Sequence, residues 1–348
     1  MAFCTRKQQL SSGGSTGWLV KTYSNNAATF YADVASIMAS LCAFHFSGFH
    51  LCVSKIRSMI ISPWRKFQVA CPMDESLLKS LNQLNLSSNV LTGRIPYFIE
   101  ILTNLSLFHL FQNELSSPIP SSIGNMTMLI EVKLHQNNLT KIRLLQSLNE
   151  LGLSINVLTD ETSNSIGNLT TLSLFYLHRN QLSIFIPQEI GLLQSLNQLD
   201  LSSSIFTSEI PNSIGNLRYL SFLYLQGQNN LSGYVPSEIG RLKSLVELSF
   251  IENKLHDSLH LEMHNLTYLK ILDLSSNEFR VICHKRNISE DFGIYPHLYY
   301  VDLSYNNFYS ELSSKWGDFC NMTSFKISNN NVLSTKRPYL QPQIRIEI

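Results

Sequence analysis

The feature that most constrains this chain is a pattern of leucines and asparagines that returns every 24 residues. One copy begins with Leu105, Phe108, Leu110 and Asn113, and the same spacing leads to Asn137, because 137 − 113 = 24. A fixed period of this length means that each copy is one structural unit, which buries its apolar face against the next copy. The chain is therefore expected to fold as a solenoid of stacked coils.

The spacing within one copy predicts a short strand and a corner. Phe108 and Leu110 are expected to point into the core, and His109 and Phe111 outward, because successive side chains of a strand alternate between its faces. Asn113 follows at the corner, where its side chain can bond to neighbouring backbone groups. The spacing L-x-x-L-x-L-x-x-N, with a period of about 20–29 residues, is the signature of a leucine-rich repeat.

The corner residue recurs along most of the chain, and its intervals show where the pattern is interrupted. The intervals are 24 residues except for one of 19, one of 25 and one of 29. We expect local bulges or loops at these interruptions, on the convex side of the solenoid, where insertions are tolerated best. The corner residues are Asn89, Asn113, Asn137, Asn156, Asn180, Ser204, Asn229, Asn253, Asn277, Asn306 and Asn330.

A second repeated unit follows the corner, with Ile-Pro and then Ile-Gly, as at Ile119-Pro120 and Ile123-Gly124. Pro fixes φ and favours a tight turn or the opening of a short helical piece. The glycine of Ile-Gly is expected to end that piece and lead to the next strand. The predicted fold class is therefore α/β: a right-handed, curved leucine-rich-repeat solenoid with a parallel concave sheet and convex turns containing short 3-10 helices.

The repeat divides the chain into three predicted regions. Residues 1–71 form a non-repeat N-terminal flank, residues 72–333 form the leucine-rich-repeat domain, and residues 334–348 form an irregular C-terminal tail.

The flank contains an apolar run, residues 34–54, that has no Lys, Arg, Asp or Glu. Its length would span a bilayer, although ionisable residues such as His45 and His50 are costly there. The run begins too late in the chain for a typical secretory signal. Three readings stay open: a membrane segment or retained signal at residues 34–54, an apolar flank that covers the open end of the solenoid, or sequence that does not fold natively.

The consensus sequence of the repeat resembles that of the plant leucine-rich-repeat receptor-like kinases. Asn89-Val90-Leu91-Thr92-Gly93-Arg94-Ile95-Pro96 shows the unit most fully, and residues 287–298, continuing to 313–317, resemble the ectodomain of the male-discoverer-interacting receptor-like kinase group. The resemblance implies a plasma-membrane or extracellular module whose partner is a peptide ligand or another leucine-rich-repeat receptor.

Departures from that family are also present in the sequence. The paired cysteines of the N-terminal cap are missing, and we find no glycine-rich loop and no H-R-D or D-F-G motif of a kinase. The glycine before Ile-Pro is kept at Gly93 and Gly233 and is replaced by residues such as Ser117 and Asp257. The alternatives to a receptor module are therefore a kinase-less decoy, an inhibitor of a secreted enzyme, or a non-functional truncated paralogue.

The outward positions of the concave strands are the main candidate for a ligand-binding site. Rigid aromatic rings and cations on one exposed face suit the binding of a peptide. Against this, every solenoid presents some row of side chains, and His and Tyr are common in strands. The candidates are His109, Phe111, Lys133, His135, Tyr176, His178, Arg179, Tyr224 and Gln226.

Nine N-x-(S/T) sequons occur, and eight of them are predicted glycosylation sites if the domain is secreted. Asn85 is left out because it lies on a predicted concave strand. The eight are Asn104, Asn125, Asn138, Asn168, Asn230, Asn265, Asn287 and Asn321.

Other kinds of chemistry are poorly supported by the sequence. The net charge of +1 does not suggest a nucleic-acid surface, which usually carries a basic patch. The spacing of Cys42, His45, His50 and Cys52 fits no usual zinc site. Residues 13–17 match G-x-S-x-G but lack the strand and helix that a catalytic serine needs. We therefore expect no catalytic residues, no metal and no cofactor.

Overall fold

The computed structural model describes ten stretches of the chain, which divide between two compact units, Met1–Leu148 (unit 1) and Asn149–Ile348 (unit 2). The described stretches are residues 18–24, 49–57, 81–95, 97–142, 148–159, 164–227, 229–280, 295–310, 321–332 and 345–347.

Unit 1 is built on parallel strands that pair in chain order along one ladder. Shorter strands pair after the corners, and two 3-10 helices lie in the turns. The ladder strands are β1 (Trp18–Ser24), β2 (Phe49–Arg57), β3 (Leu81–Asn85), β5 (Leu107–His109) and β7 (Glu131–Lys133). The shorter strands are β4 (Thr92–Gly93), β6 (Glu114–Ser117) and β8 (Asn138–Leu139), and the 3-10 helices are η1 (Tyr97–Ile101) and η2 (Ser121–Asn125).

Unit 2 repeats the same plan over nine parallel ladder strands among its described residues. They are β9 (Glu150–Gly152), β10 (Leu174–Tyr176), β12 (Gln198–Asp200), β14 (Phe222–Tyr224), β16 (Glu247–Ser249), β18 (Ile271–Asp273), β20 (Tyr300–Asp302), β22 (Ser324–Lys326) and β24 (Arg345–Glu347). The shorter strands are β11 (Ser183–Ile184), β13 (Ile205–Phe206), β15 (Ser232–Gly233), β17 (Lys254–Asp257), β19 (Glu278–Phe279), β21 (Tyr309–Ser310) and β23 (Asn331–Val332). The 3-10 helices are η3 (Asn164–Asn168), η4 (Gln188–Leu192), η5 (Asn212–Asn216), η6 (Ser237–Arg241) and η7 (Leu261–Asn265).

The predicted alternation of buried and outward side chains in the strands is confirmed. Phe108 and Leu110 are fully buried, whereas His109 between them is half-buried. In unit 2, Phe175 and Leu177 are buried in the same way. Each unit is therefore a leucine-rich-repeat solenoid whose leucines form the core. The first and third residues of each three-residue ladder strand face away from that core, and we call the surface they form the inner strand face.

Part of the predicted N-terminal flank lies outside the described residues. This applies to residues 34–48 of the apolar run, to residues 13–17, and to Cys42 and His45; residues 49–54 belong to strand β2. None of the helices in the described stretches has the length and apolar character needed to cross a membrane. The boundaries at residues 71 and 333 stay predictions.

The corner asparagines join each repeat to the one before it. Asn253 Nδ2 donates to Phe250 O at 3.0 Å within its own turn and to Leu225 O of the preceding repeat at 3.0 Å. Its Oδ1 accepts a hydrogen bond from Leu231 N, also in the preceding repeat, at 3.2 Å. One buried amide therefore satisfies backbone groups of two successive coils that have no strand partner. Both bonds to the preceding repeat recur at Asn113, Asn137, Asn180, Asn229, Asn277, Asn306 and Asn330.

The residue before the corner adopts a left-handed backbone, which the sequence pattern does not reveal. Arg179 has a φ of 54° and Glu252 a φ of 57°, and the same conformation is found at most of the other corners. Ile155 has a φ of 54° although it is β-branched, and such residues avoid this region. The glycine position before Ile-Pro has positive φ in some of the repeats: at Gly93 and Gly233, and at Ser117 and Asp257, which replace the glycine.

The predicted role of the glycine in Ile-Gly is wrong. Gly215 is the fourth of five residues in η5 and has no positive φ, so it does not end the helix. A Cβ built on Gly215 would overlap Glu238 O and lie 2.6 Å from Glu238 Cβ in the next repeat. The glycine is needed because the neighbouring 3-10 helix passes directly against its Cα. Gly191 and Gly240 meet the following helix in the same way.

Ser204 is the corner at which the asparagine is missing, and we expect Ser204→Asn to stabilise unit 2. Ser204 is 1% exposed, and its Oγ has no hydrogen-bond partner among the described residues. In the register of Asn180, an asparagine here would accept from Leu182 N and donate to Leu177 O, 22 and 27 residues earlier. Each net hydrogen bond contributes ~1 kcal/mol, so urea denaturation should show a gain of about 1–2 kcal/mol. Asn253→Ser should cause a loss, and a loss from Ser204→Asn would contradict the assignment.

Gly215→Ala should destabilise unit 2, because the new methyl group meets a backbone carbonyl that cannot move alone. Overpacking of this kind costs about 1–3 kcal/mol, measurable by denaturation. Gly167→Ala is the matched control: it occupies the same helix position, but its nearest neighbour is Leu192 Cδ1 at 2.7 Å, the end of a flexible side chain. Equal losses in the two variants would show that close backbone approach is not the cause.

Candidate functional site

The inner strand face of unit 2 carries a row of hydrogen-bonded polar and aromatic side chains. Tyr176 on β10, Asp200 on β12 and Tyr224 on β14 lie directly opposite one another across the parallel ladder. Tyr176 Oη donates to Gln198 Oε1 at 3.0 Å, and Tyr224 Oη donates to Glu247 Oε2 at 2.6 Å. Both tyrosine rings are half-buried, so each presents part of its face while its hydroxyl is held in place.

Asp200 is the central charge of this row. Its Oδ2 lies 2.9 Å from His178 Nδ1, and its Oδ1 accepts hydrogen bonds from Ser202 N at 3.0 Å and Ser202 Oγ at 2.6 Å. Burial raises the pKa of the Asp200 carboxyl, but the nearby His178 imidazole and the hydrogen bonds from Ser202 outweigh burial, so its pKa lies below the ordinary value. Asp200 is therefore an anion whose orientation is set by the turn and the imidazole.

Tyr224 remains a hydrogen-bond donor over the whole physiological pH range. Burial, together with its hydrogen bond to Glu247 and the nearby carboxylate of Asp200, raises the pKa of Tyr224 above its ordinary value. The ring of Phe222 lies 6.4 Å from that of Tyr224 and extends the apolar part of the face.

The other two candidates in unit 2 lie at the edge of this row. Gln226 is half-buried, and its Oε1 is buried without a hydrogen-bond partner among the described residues. Arg179 is exposed and occupies the left-handed position before the corner rather than a strand position.

The acidic members of the face were not among the candidates from the sequence. Asp273 on β18 and Asp302 on β20 are paired directly across the ladder and are both buried. Lys326 Nζ lies 3.6 Å from Asp302 Oδ2 and 5.6 Å from the centre of the Tyr300 ring. The sequence could have indicated these aspartates, because each is the third residue of its strand, a position that faces away from the core.

Asp200 and Asp273 have similar turns but different electrostatic surroundings. Asp273 Oδ1 also accepts from the serine two residues later, Ser275, through N at 3.1 Å and Oγ at 2.7 Å. Burial, with the neighbouring Asp302 carboxylate, raises the pKa of Asp273 despite those bonds. One aspartate is therefore stabilised as an anion, and the other is destabilised.

In unit 1, four of the candidate residues lie side by side, and two of them contact Glu131. His109 Nε2 and Lys133 Nζ lie 2.7 Å and 2.6 Å from the same oxygen, Glu131 Oε1. The ring of Phe111 stacks on that of His135, with centres 4.5 Å apart and planes 8° apart. Burial raises the pKa of the Glu131 carboxyl, but Lys133 and His109 more than offset this, so its pKa is lowered.

Most of the predicted glycosylation sites are accessible in the structure. Exposed side chains are found at Asn104, Asn125, Asn138, Asn168, Asn265 and Asn321. Asn230 is half-buried, and Asn287 lies outside the described residues. Accessibility is a requirement for a glycan, and glycosylation itself stays a prediction.

The family follows from a comparison with known protein families. A family model described as a leucine-rich repeat region matches residues 153–344, more than half of the 348 residues. The chain belongs to the leucine-rich-repeat family. A comparison of this leucine-rich-repeat chain with curated proteins finds no significant match.

Solved structures place this leucine-rich-repeat chain beside plant receptor ectodomains. The plant peptide hormone receptor RGFR1 in complex with RGF2 is 26% identical, with a TM-score of 0.65 over 85% of this chain and 49% of that chain. The PEPR1–AtPEP1 structure is 25% identical, with a TM-score of 0.66 over 85% and 43%. A plant ice-binding protein is 25% identical, with a TM-score of 0.53 over 71% and 72%. The chain thus spans about half the length of the two receptors.

The two aspartates provide a matched pair of substitutions with opposite expected effects at pH 7. Asp200 has a lowered folded-state pKa, so its stabilisation is present above the unfolded value near 3.8 and is lost as pH falls below it. Asp273 has a raised pKa, so its ionised form costs stability above that value. Asn keeps the Oδ1 acceptor in both turns, so D200N should destabilise unit 2 and D273N should stabilise it in urea denaturation at pH 7. Effects of the same sign would contradict this difference.

Proposed function

We propose that the inner strand face of unit 2 binds a peptide or the surface of a partner receptor, without catalysis. The observation that carries the proposal is the row of Tyr176, His178, Asp200, Tyr224 and Glu247, which we call the Tyr–Asp face. It combines half-buried rings with directional polar groups, the chemistry that recurs at the energetic centres of protein interfaces.

The tyrosines of this face are held before any ligand arrives. Tyr176 is fixed by Gln198 and Tyr224 by Glu247, at 3.0 Å and 2.6 Å. A ring that is already held loses little conformational entropy on binding, so more of its contact energy contributes to affinity. The ladder strands beneath supply a rigid support, since each is bonded on both sides.

Charge indicates which ligands fit the face best. Asp200, Glu247 and Asp273 are on the inner strand face, and the imidazole of His178 lies 2.9 Å from Asp200. Lys326 lies farther along, beside Asp302. A ligand with a basic side chain or a free amino group is therefore favoured over an acidic one.

The similar structures support a recognition function of this class. RGFR1 is a plant peptide hormone receptor, and its structure is a complex with RGF2. A shared fold does not assign a ligand by itself, so the proposal for this chain depends on its own side chains. We extend it to a location outside the cell or at the plasma membrane, which the exposed sequon asparagines support.

The proposal is tested by selecting peptides from a displayed random library on the folded chain. Tyr176→Ala and His178→Ala should each weaken the binding of the selected peptides by about tenfold, since truncation of an interface anchor costs more than ~1 kcal/mol of binding free energy. Each variant should lose some thermal stability, because Tyr176 is bonded to Gln198 and His178 lies 2.9 Å from Asp200, but the loss of binding free energy should be the larger effect.

Gln188→Ala, an exposed substitution in η4, is the control and should leave peptide affinity unchanged. Two results would contradict the proposal: a library that yields no binder to the folded chain, or binders that tolerate both face substitutions. A loss of affinity matched by an equal loss of thermal stability would show that the two side chains only pack.

A further inference from the structure

Unit 2 has a second exposed surface, separate from the Tyr–Asp face. It is formed where each 3-10 helix leads back to the next ladder strand. We call it the basic–aromatic edge and define it by Arg218, Tyr219, Lys243, Tyr268 and Lys270. All five side chains are exposed, Tyr219 by 67% and Tyr268 by 60%. Exposed apolar surface that is grouped in one place and bordered by polar residues marks an interaction site.

The rings of the edge follow the period of the repeat. Tyr219 and Tyr268 each stand two residues beyond the leucine that ends the helix, and Ser244 holds this position in the repeat between them. Adjacent parallel strands are ~4.8 Å apart, so the two tyrosines are spaced by roughly 10 Å along the stacking direction. The ring of His297 lies 6.0 Å from that of Tyr268 with planes only 10° apart, which extends the flat surface.

The charge of the edge has one sign. The segments 217–221, 242–246 and 266–270 contain Arg218, Lys243 and Lys270 and no Asp or Glu. Within the described stretches, none of these three cations has an ion-pair partner.

The nearest acids do not cancel that charge. Glu238 in η6 is 3.7 Å from Arg241, and Glu247 accepts a hydrogen bond from Tyr224 on the inner strand face. Glu262 is exposed in η7, the helix that leads into the segment containing Lys270. Counting Arg241 against Glu238 and one lysine against Glu262 still leaves two unpaired cations beside the rings.

We propose that the basic–aromatic edge binds a linear carboxylated polysaccharide, a polyuronate. Sugar rings present apolar C–H faces that stack on tyrosine, while Arg218, Lys243 and Lys270 pair with the carboxylates. The edge presents two exposed rings two repeats apart with cations beside them, which suits a polymer that carries both rings and charges along its length. An acidic peptide offers the charges but not the regular flat rings.

The test uses polygalacturonate oligomers as the probe, with affinity measured by calorimetry at low salt. Lys243→Glu/Lys270→Glu should weaken binding by about tenfold, since each charge-assisted contact is stronger than a neutral one. The matched control for either single lysine substitution, Lys254→Glu, makes the same change in net charge at an exposed residue elsewhere in unit 2 and should change affinity by less than about twofold. An equal loss in the control would overturn the proposal.

The aromatic part is tested separately with Tyr219→Ala/Tyr268→Ala. This variant should lose affinity for polygalacturonate and keep whatever affinity it has for poly-glutamate, which carries charge without sugar rings. Poly-glutamate that competes as well as polygalacturonate, with the tyrosine variant unaffected, would assign the edge to acidic peptides instead. No binding of polygalacturonate by the unaltered chain would also overturn the proposal. Melting temperatures of all variants, and retained binding in Lys243→Arg/Lys270→Arg, separate loss of contact from loss of folding.

Discussion

The structure depends on one requirement: each corner must satisfy backbone groups that no strand can reach. The side-chain amide of the corner asparagine does this, because it donates and accepts at once and touches two successive coils. A buried backbone group without a partner costs about 1–3 kcal/mol, so several such groups per repeat would outweigh the stability of a typical domain. The repeated asparagine is therefore as necessary as the repeated leucine.

Much of the repeat could be predicted because its period is strict. The burial of Phe108 and Leu110 follows from alternation, and the corner role of Asn113 follows from its spacing. The left-handed residue before each corner could not be predicted, because Gln112, Ile155 and Arg179 share that conformation without sharing any chemistry. The role of Gly215 was also hidden, since it depends on a backbone carbonyl in the next repeat rather than on the glycine's own turn.

The sequence predicted the candidate site only in part, because some of its features depend on contacts between neighbouring repeats. Tyr176, His178 and Tyr224 were chosen as aromatics and cations at outward strand positions, and the structure places all three beside Asp200. In the sequence, Asp200 looks like an ordinary residue of the repeat pattern. Its importance comes from the neighbouring strand, which brings an imidazole within 2.9 Å. A one-dimensional pattern assigns positions within a coil, whereas the chemistry of the face arises between coils.

The exception at Ser204 has a consequence for how unit 2 comes apart. In a stack of repeats, each repeat is stabilised only by its nearest neighbours. The whole array therefore unfolds cooperatively only if every interface between neighbouring repeats is strong. At Ser204 the junction lacks the amide that links the other corners, and the buried hydroxyl offers no replacement. Thermal fluctuations will therefore open the stack there first, exposing fresh strand edges on either side while the flanking coils remain folded.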